Sequence, residues 1–269
     1  MSSAMTRVVR LTLAYDGTGF HGWAKQREQR TVQGVLELAL QRLLRDVPKL
    51  SVAGRTDTGV HARGQVVSFP AADVVDVGRL QPGLNVLLAP EVVVTDARVA
   101  PAGFDARHSA TAREYRYRIE TGPFPDPFTG RFVWHRPGEF SLQRMRAAAR
   151  ELVGERDFAS FCRLPRDGSG TVRNLQRLSV SRSAGLVEIS ARANAFLHQM
   201  VRSLVGTLVA VGEERIEPDR VPAILSARDR AAAGQLAPSH GLTLERVRYG
   251  RRGGSRPGPD VGGRHPEDL

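Results

Sequence analysis

The chain reads as an α+β protein, and two observations predict that class. Segments with apolar residues at every second position alternate with segments whose apolar residues recur at helical spacing. Their order, strand–helix–strand–strand–helix–strand, runs through the chain twice, which predicts two ferredoxin-like (βαββαβ) halves with largely antiparallel sheets. The repeat is one of architecture, because no sequence identity links the halves. At 269 residues the chain is long enough for two such units and for a core that needs no disulfide or structural metal.

Each element has its own justification. Val9, Leu11, Leu13 and Tyr15 alternate with Arg10, Thr12 and Ala14, the pattern of a strand with one buried face. A glycine-rich polar loop follows over 16–30. Thr31 is then placed to cap a helix with Val32, Val35, Leu36, Ala39, Leu40 and Leu43 on one stripe. Short strands are expected at 50–53 and 65–69, joined by a turn-rich segment over 54–64. The helix expected over 77–88 is interrupted by Pro82. A strand at 91–99 closes the first half. In the second, a strand over 113–119 places Arg113, Tyr115, Tyr117 and Ile119 on one face and Glu114, Arg116 and Arg118 on the other. A short strand is expected at 131–135. Ser141 caps a helix through Leu142, Met145, Ala149 and Leu152, with Gly154 at its C-terminal end. Strands at 175–181 and 186–191 form a hairpin. Val201, Leu204, Val205, Leu208 and Val209 make one stripe of a helix that stops at Gly212, and 242–249 is the last strand.

The expected organisation is an N-terminal half over 1–105, a C-terminal half over 106–250 and a tail over 251–269. That tail holds five glycines and three prolines and is expected to be disordered. The formal net charge is +11, and the tail contributes little of it, with four arginines against three acids. A positive excess carried by the folded body favours a polyanionic partner. Arginine far outnumbers lysine, which occurs only as Lys25 and Lys49; base composition of the genome accounts for that ratio but not for the excess. Cys162, the single cysteine, has no disulfide partner and reads as a small packed hydrophobe. No run of about 18 apolar residues is present and the N-terminus has no signal-peptide block, so a cytoplasmic protein is expected, with no membrane span.

Two glycine-bearing segments invite a chemical interpretation. Gly17-Thr18-Gly19-Phe20-His21-Gly22 satisfies G-x-G-x-x-G after a strand. A dinucleotide site also needs a helix opening at the third glycine, and here the helix waits until Thr31. The segment therefore does not read as a nicotinamide site. In Gly54-Arg55-Thr56-Asp57-Thr58-Gly59-Val60-His61-Ala62, residue types alone leave two readings open. It is a polar loop with an Asx-turn at Asp57, or it displays an acid flanked by Arg55 and His61 for chemistry.

Several motifs carry a resemblance in order along the chain. They are Tyr15-Asp16-Gly17-Thr18 with Gly22-Trp23 and Thr31-Val32-Gln33-Gly34, the Asp57 segment, Arg113-Glu114-Tyr115-Arg116-Tyr117, Asn194 to Arg202 with Val205-Gly206-Thr207-Leu208, and Ala237-Pro238 with Gly241-Leu242. Together they resemble the TruA-type tRNA pseudouridine synthase family from about Arg7 to Tyr249. Ala24 departs from the pattern, where the family often has glutamine. The resemblance implies an isomerase that converts uridine to pseudouridine at positions 38–40 of the tRNA anticodon stem-loop, acts as a homodimer and uses no cofactor. It implies that the two sheets form a central cleft around Asp57, the catalytic carboxylate. Arg55 would occupy the space left by the flipped base, Tyr115 would stack on that base, and Arg202 would pair with Asp57. His61 and His198 lie inside the motifs and are candidate RNA contacts. No histidine pair has metal-ligand spacing, so no metal is expected. A non-catalytic RNA-binding module of the same fold is the competing class, and the joint presence of Asp57, Tyr115 and Arg202 speaks against it.

Overall fold

The structure, a computed structural model, describes residues 6–183 and 185–250; the 251–269 segment expected to be disordered lies outside the described residues. The first half comprises β1 (Thr6–Tyr15), α1 (Val32–Leu44), β2 (Ser51–Val52), β3 (His61–Ala72), α2 (Val77–Leu88) and β4 (Val92–Ala100). Alternation in β1 does what the sequence implies: Val9, Leu11, Leu13 and Tyr15 are buried. Thr31 caps α1, its Oγ1 accepting from the Gly34 N–H at 3.2 Å, and Val32, Leu36, Ala39 and Leu40 face the core. Pro82 is accommodated inside α2, which runs unbroken from Val77 to Leu88.

The second half comprises β5 (Ala110–Glu120), β6 (Trp134–His135), α3 (Leu142–Leu152), β7 (Gly154–Asp157), β8 (Val172–Ser183), β9 (Leu186–Ala193), α4 (Met200–Gly212), α5 (Val221–Ala227) and β10 (Leu242–Tyr249). Neither β7 nor α5 was legible: β7 is the polar run Gly154–Asp157, and α5 has only seven residues. Gly154 follows the C-cap Val153 with φ of 108° and turns the chain straight into β7. Tyr115, Tyr117 and Ile119 are buried on one face of β5, as parity requires.

Each half orders its strands as a ferredoxin-like unit does: β4-β1-β3 with β2 on β3, then β10-β5-β9-β8. The two sheets are not separate. Among the described residues ten strands form one sheet, because β10 pairs antiparallel with β5 and parallel with β3 through Thr243↔His61 and Leu244↔Ala62. β3 makes this possible by starting at His61 rather than near residue 65. Its C-terminal part takes β2 at Val67 and Ser68, and its N-terminal part takes β10, which leaves no open edge at the joint. The loop from Gly54 to Val60 therefore sits where the halves meet. No helix among the described residues is long and apolar enough to cross a membrane.

Candidate active site

The loop joining β2 to β3 is held from beneath by the end of β1 and the segment after it. The Tyr15 hydroxyl lies 2.8 Å from Thr56 Oγ1, and Gln65 Nε2 donates to the Gly54 carbonyl at 2.7 Å and to Tyr15 Oη at 3.3 Å. Burial pushes the Tyr15 phenol up to about 12, against the lowering effect of its Thr56 and Gln65 hydrogen bonds, so it stays neutral. The Trp23 N–H donates to the Thr56 carbonyl at 3.0 Å. The glycines of the apparent nucleotide motif serve this packing. A Cβ on Gly17 would sit 2.1 Å from the Val60 carbonyl oxygen, and one on Gly22 would sit 2.7 Å from that of Thr56. They let two stretches of backbone touch.

Asp57 projects from this loop toward α4. Its Oδ1 is 3.3 Å from His198 Nε2 and its Oδ2 is 3.6 Å from Arg202 Nη1, with the carboxylate side chain 23% exposed. Arg202 is the one residue of α4 that is not buried. Its Nε donates to the Ala237 carbonyl at 2.7 Å, so the guanidinium is fixed from one side and presented to Asp57 from the other. The 234–237 segment lies so close to α4 that a Cβ on Gly206 would meet the Gln235 carbonyl oxygen at 1.6 Å.

Tyr115 is buried, with the Phe196 ring edge-on at 5.2 Å. Burial first, then the neighbouring Tyr15 phenol and Asp57 carboxylate, raises its phenol well above the ordinary value. Asp57, Tyr115, Phe196, His198 and Arg202 line one continuous cleft of about 1130 Å³, and exposed Arg55 lines it too. Five of the six residues singled out in the sequence are thus brought together. His61 is not. It is buried outside the cleft, with Nδ1 accepting from the Gly17 N–H at 2.9 Å and Nε2 3.0 Å from the carbonyls of Arg131 and His240. Its expected contact with substrate gives way to a structural role, because both ring nitrogens are already engaged.

Two cleft residues escaped the sequence analysis. Phe196 lies within the quoted Asn194–Arg202 motif, but no periodicity singles it out. Arg113 was placed on the Tyr115 face of its strand, and a charge on a buried face was the available signal. Its guanidinium makes five hydrogen bonds, all to main-chain carbonyls: two to Ala53 and one each to Ala110, Asn194 and Arg107. Burial lowers its pKa, and the carbonyl cage offsets part of that cost. Among the described residues no group of three or more metal-ligating side chains comes together.

Two linked ferredoxin-like units around a largely basic cleft, with a carboxylate set between an imidazole and a guanidinium and an aromatic beside it, define an enzyme class that works on a base of a polyanionic strand. The chain belongs to the tRNA pseudouridine synthase family, whose model matches residues 12–108 and 148–250. It is an isomerase of the TruA type. It is 49% identical to the tRNA pseudouridine synthase A of Frankia casuarinae over 93% of this chain and 91% of that one. It is 46% identical to that of Cutibacterium acnes, over 89% and 88% of the two chains. The Bacillus subtilis protein of the same name is 40% identical over 90% of this chain and 98% of its own. Among solved structures, a Cbf5-Nop10-Gar1 complex aligns with 87% of this chain and 57% of that one, at a TM-score of 0.31 and 13% identity.

Proposed function

We propose that this enzyme isomerises uridine to pseudouridine at positions 38–40 of the tRNA anticodon stem-loop, with Asp57 as the nucleophile and no cofactor. The observation that carries the proposal is the Asp57 carboxylate held between His198 and Arg202 in the same cleft as Tyr115. Family membership supports the tRNA substrate, and the excess of +11 supports a polyanionic partner.

The chemistry asks for what these residues offer. The N1–C1′ bond breaks, the base turns, and a C5–C1′ bond forms, while C5 loses a proton and N1 gains one. The change is redox-neutral and requires no electron carrier. The Asp57 carboxylate adds to the nucleotide and is released unchanged when the new bond closes. The His198 imidazole and the Arg202 guanidinium beside it orient it. The target base must first leave the stack, at a cost of a few kcal/mol. The Tyr115 ring receives it, and Arg55, exposed on the cleft wall, takes its place in the RNA. The 1–105 half thus supplies the nucleophile and Arg55, and the 106–250 half supplies Tyr115, His198 and Arg202. The working form is a cytoplasmic homodimer, and a single species of monomer mass by light scattering would remove the dimer.

Asp57→Asn keeps the side-chain shape and removes the charge. Tritium release from C5-labelled uridine in tRNA is expected to vanish while tRNA binding persists. Turnover by the variant would remove Asp57 from the chemistry. Pseudouridine mapping in tRNA from cells lacking this enzyme should show unmodified uridine at 38–40, and modification persisting there would refute the site.

A further inference from the structure

The cleft is larger than one extruded nucleotide needs, since pockets of about 300–1,000 Å³ already enclose most of a drug-sized ligand, and here the volume is about 1130 Å³. Its lining separates into two clusters. One surrounds Asp57. The other lies where β2 and β3 meet the connection between β4 and β5. There Ser51 pairs with Ser68, whose Oγ accepts from the Ala106 N–H at 2.9 Å. Leu50, Pro70 and Phe104 supply apolar surface to this second cluster. Phe104 is fixed by the Tyr249 ring at 4.9 Å and by the Arg10 guanidinium at 5.6 Å, and it still lines the cleft. Lys49, Arg107 and His108 line the same part and are exposed. The nearby acid, Asp105, spends its Oδ1 on the N–H groups of Arg107 and His108, both at 2.8 Å. Its carboxylate builds the turn that presents Arg107 and His108.

An aromatic and apolar surface flanked by exposed cations is what a nucleotide of a single strand binds: a base against the ring, phosphates against the charges. Asp57 follows Ser51 by six positions, which limits their separation to about 20 Å. Nucleotides along one strand advance about 3.4 Å each when stacked, so a short stretch of the same RNA strand reaches both clusters. We propose that this second cluster is a nucleotide subsite, which holds a loop nucleotide neighbouring the extruded uridine, with its base on Phe104 and Pro70 and its phosphates on Lys49 and Arg107. The proposal rests on the assignment of RNA to the cleft and adds where the strand runs beyond Asp57.

The test is equilibrium binding of an anticodon stem-loop RNA to the full chain across a range of salt. For the double variant Lys49→Gln/Arg107→Gln, both positions being exposed, affinity near 0.1 M salt is expected to fall about tenfold. The slope of log K against log salt should shrink by about 1.4, the loss of two single-strand phosphate contacts. Arg42→Gln/Arg79→Gln removes two exposed cations that do not line the cleft, and it should leave affinity and slope unchanged. Phe104→Leu should weaken binding about threefold or more with the slope unaltered. Affinity and slope of Lys49→Gln/Arg107→Gln equal to the parent would overturn the subsite, as would an equal loss in the Arg42→Gln/Arg79→Gln control. Should Phe104→Leu fail to fold, the Lys49/Arg107 comparison still decides. A parent enzyme that does not bind the stem-loop at all would instead overturn the RNA assignment itself.

Discussion

At the scale of single residues, the site separates groups that touch substrate from groups that hold the site in shape. Under the proposed function Tyr115 belongs to the first kind, and its ring is the part that matters for a stacked base. Tyr115→Ala should lower kcat/KM by about 10- to 100-fold, the range that one lost base–aromatic contact implies. Tyr115→Phe keeps the ring, and its RNA affinity should stay within about threefold of the parent in an anisotropy titration. His61 belongs to the second kind. Burial lowers its pKa, against the raising effect of Asp16 and the carbonyls of Arg131 and His240. Below about pH 6.5 the unfolded chain therefore takes up a proton that the folded chain refuses. The stability His61 contributes is complete above that pH and is lost as pH falls from there toward its folded-state value. His240, also lowered, by burial first and then by its neighbour His61, acts in the same direction. Tm should drop between about pH 7.5 and about pH 5.5, and His61→Gln should flatten that decline. An equally steep decline in the variant would assign the loss elsewhere.

At the scale of elements, α4 is where packing and chemistry share one helix. Twelve of its thirteen residues are buried, and Arg202 is the exception that faces Asp57. Close approach of the 234–237 segment to Gly206 allows the Ala237 carbonyl to hold Arg202 Nε. In an exposed helix, Gly→Ala stabilises by about 0.5–1 kcal/mol. At Gly206 the added methyl would meet main-chain oxygen, which cannot rotate away. Gly206→Ala is expected to reverse that sign and destabilise by about 1–3 kcal/mol in denaturant titration. Turnover should fall as well, since the displaced segment releases the guanidinium. A stabilised, fully active variant would show that the segment does not position Arg202.

At the scale of the whole molecule, β10 couples the halves. It is an edge strand of the second ferredoxin-like unit, and it completes the first by pairing with the start of β3. Asp57 comes from one unit and its two partners from the other, so the geometry of the site depends on this joint. Gly64 lies at the joint, where a Cβ would be 2.5 Å from the Glu245 carbonyl oxygen. Gly64→Ala should therefore lower Tm and kcat together, although residue 64 does not line the cleft. Loss of Tm with kcat intact would mean that the site tolerates a shifted joint.

Sequence alone determined the class and the order of the main elements. Alternation in β1 and β5 and helical spacing in α1, α3 and α4 report local burial, and local burial is what period and composition encode. Motif resemblance named Asp57, Tyr115, Arg202, Arg55 and His198, and the structure gathers all five in one cleft. Sequence could not show that the two sheets are one, because strand pairing across residues 61 and 243 is a long-range contact with no local signature. Nor could it separate His61 from His198. Both are histidines in motifs; one is enclosed by carbonyls and the other stands beside Asp57. The carbonyl cage around Arg113 was equally hidden, since its acceptors come from three separate stretches of chain, at 53, 107–110 and 194. Tertiary structure decided these points because a side chain's role depends on which distant backbone and charges surround it, and folding alone brings them together.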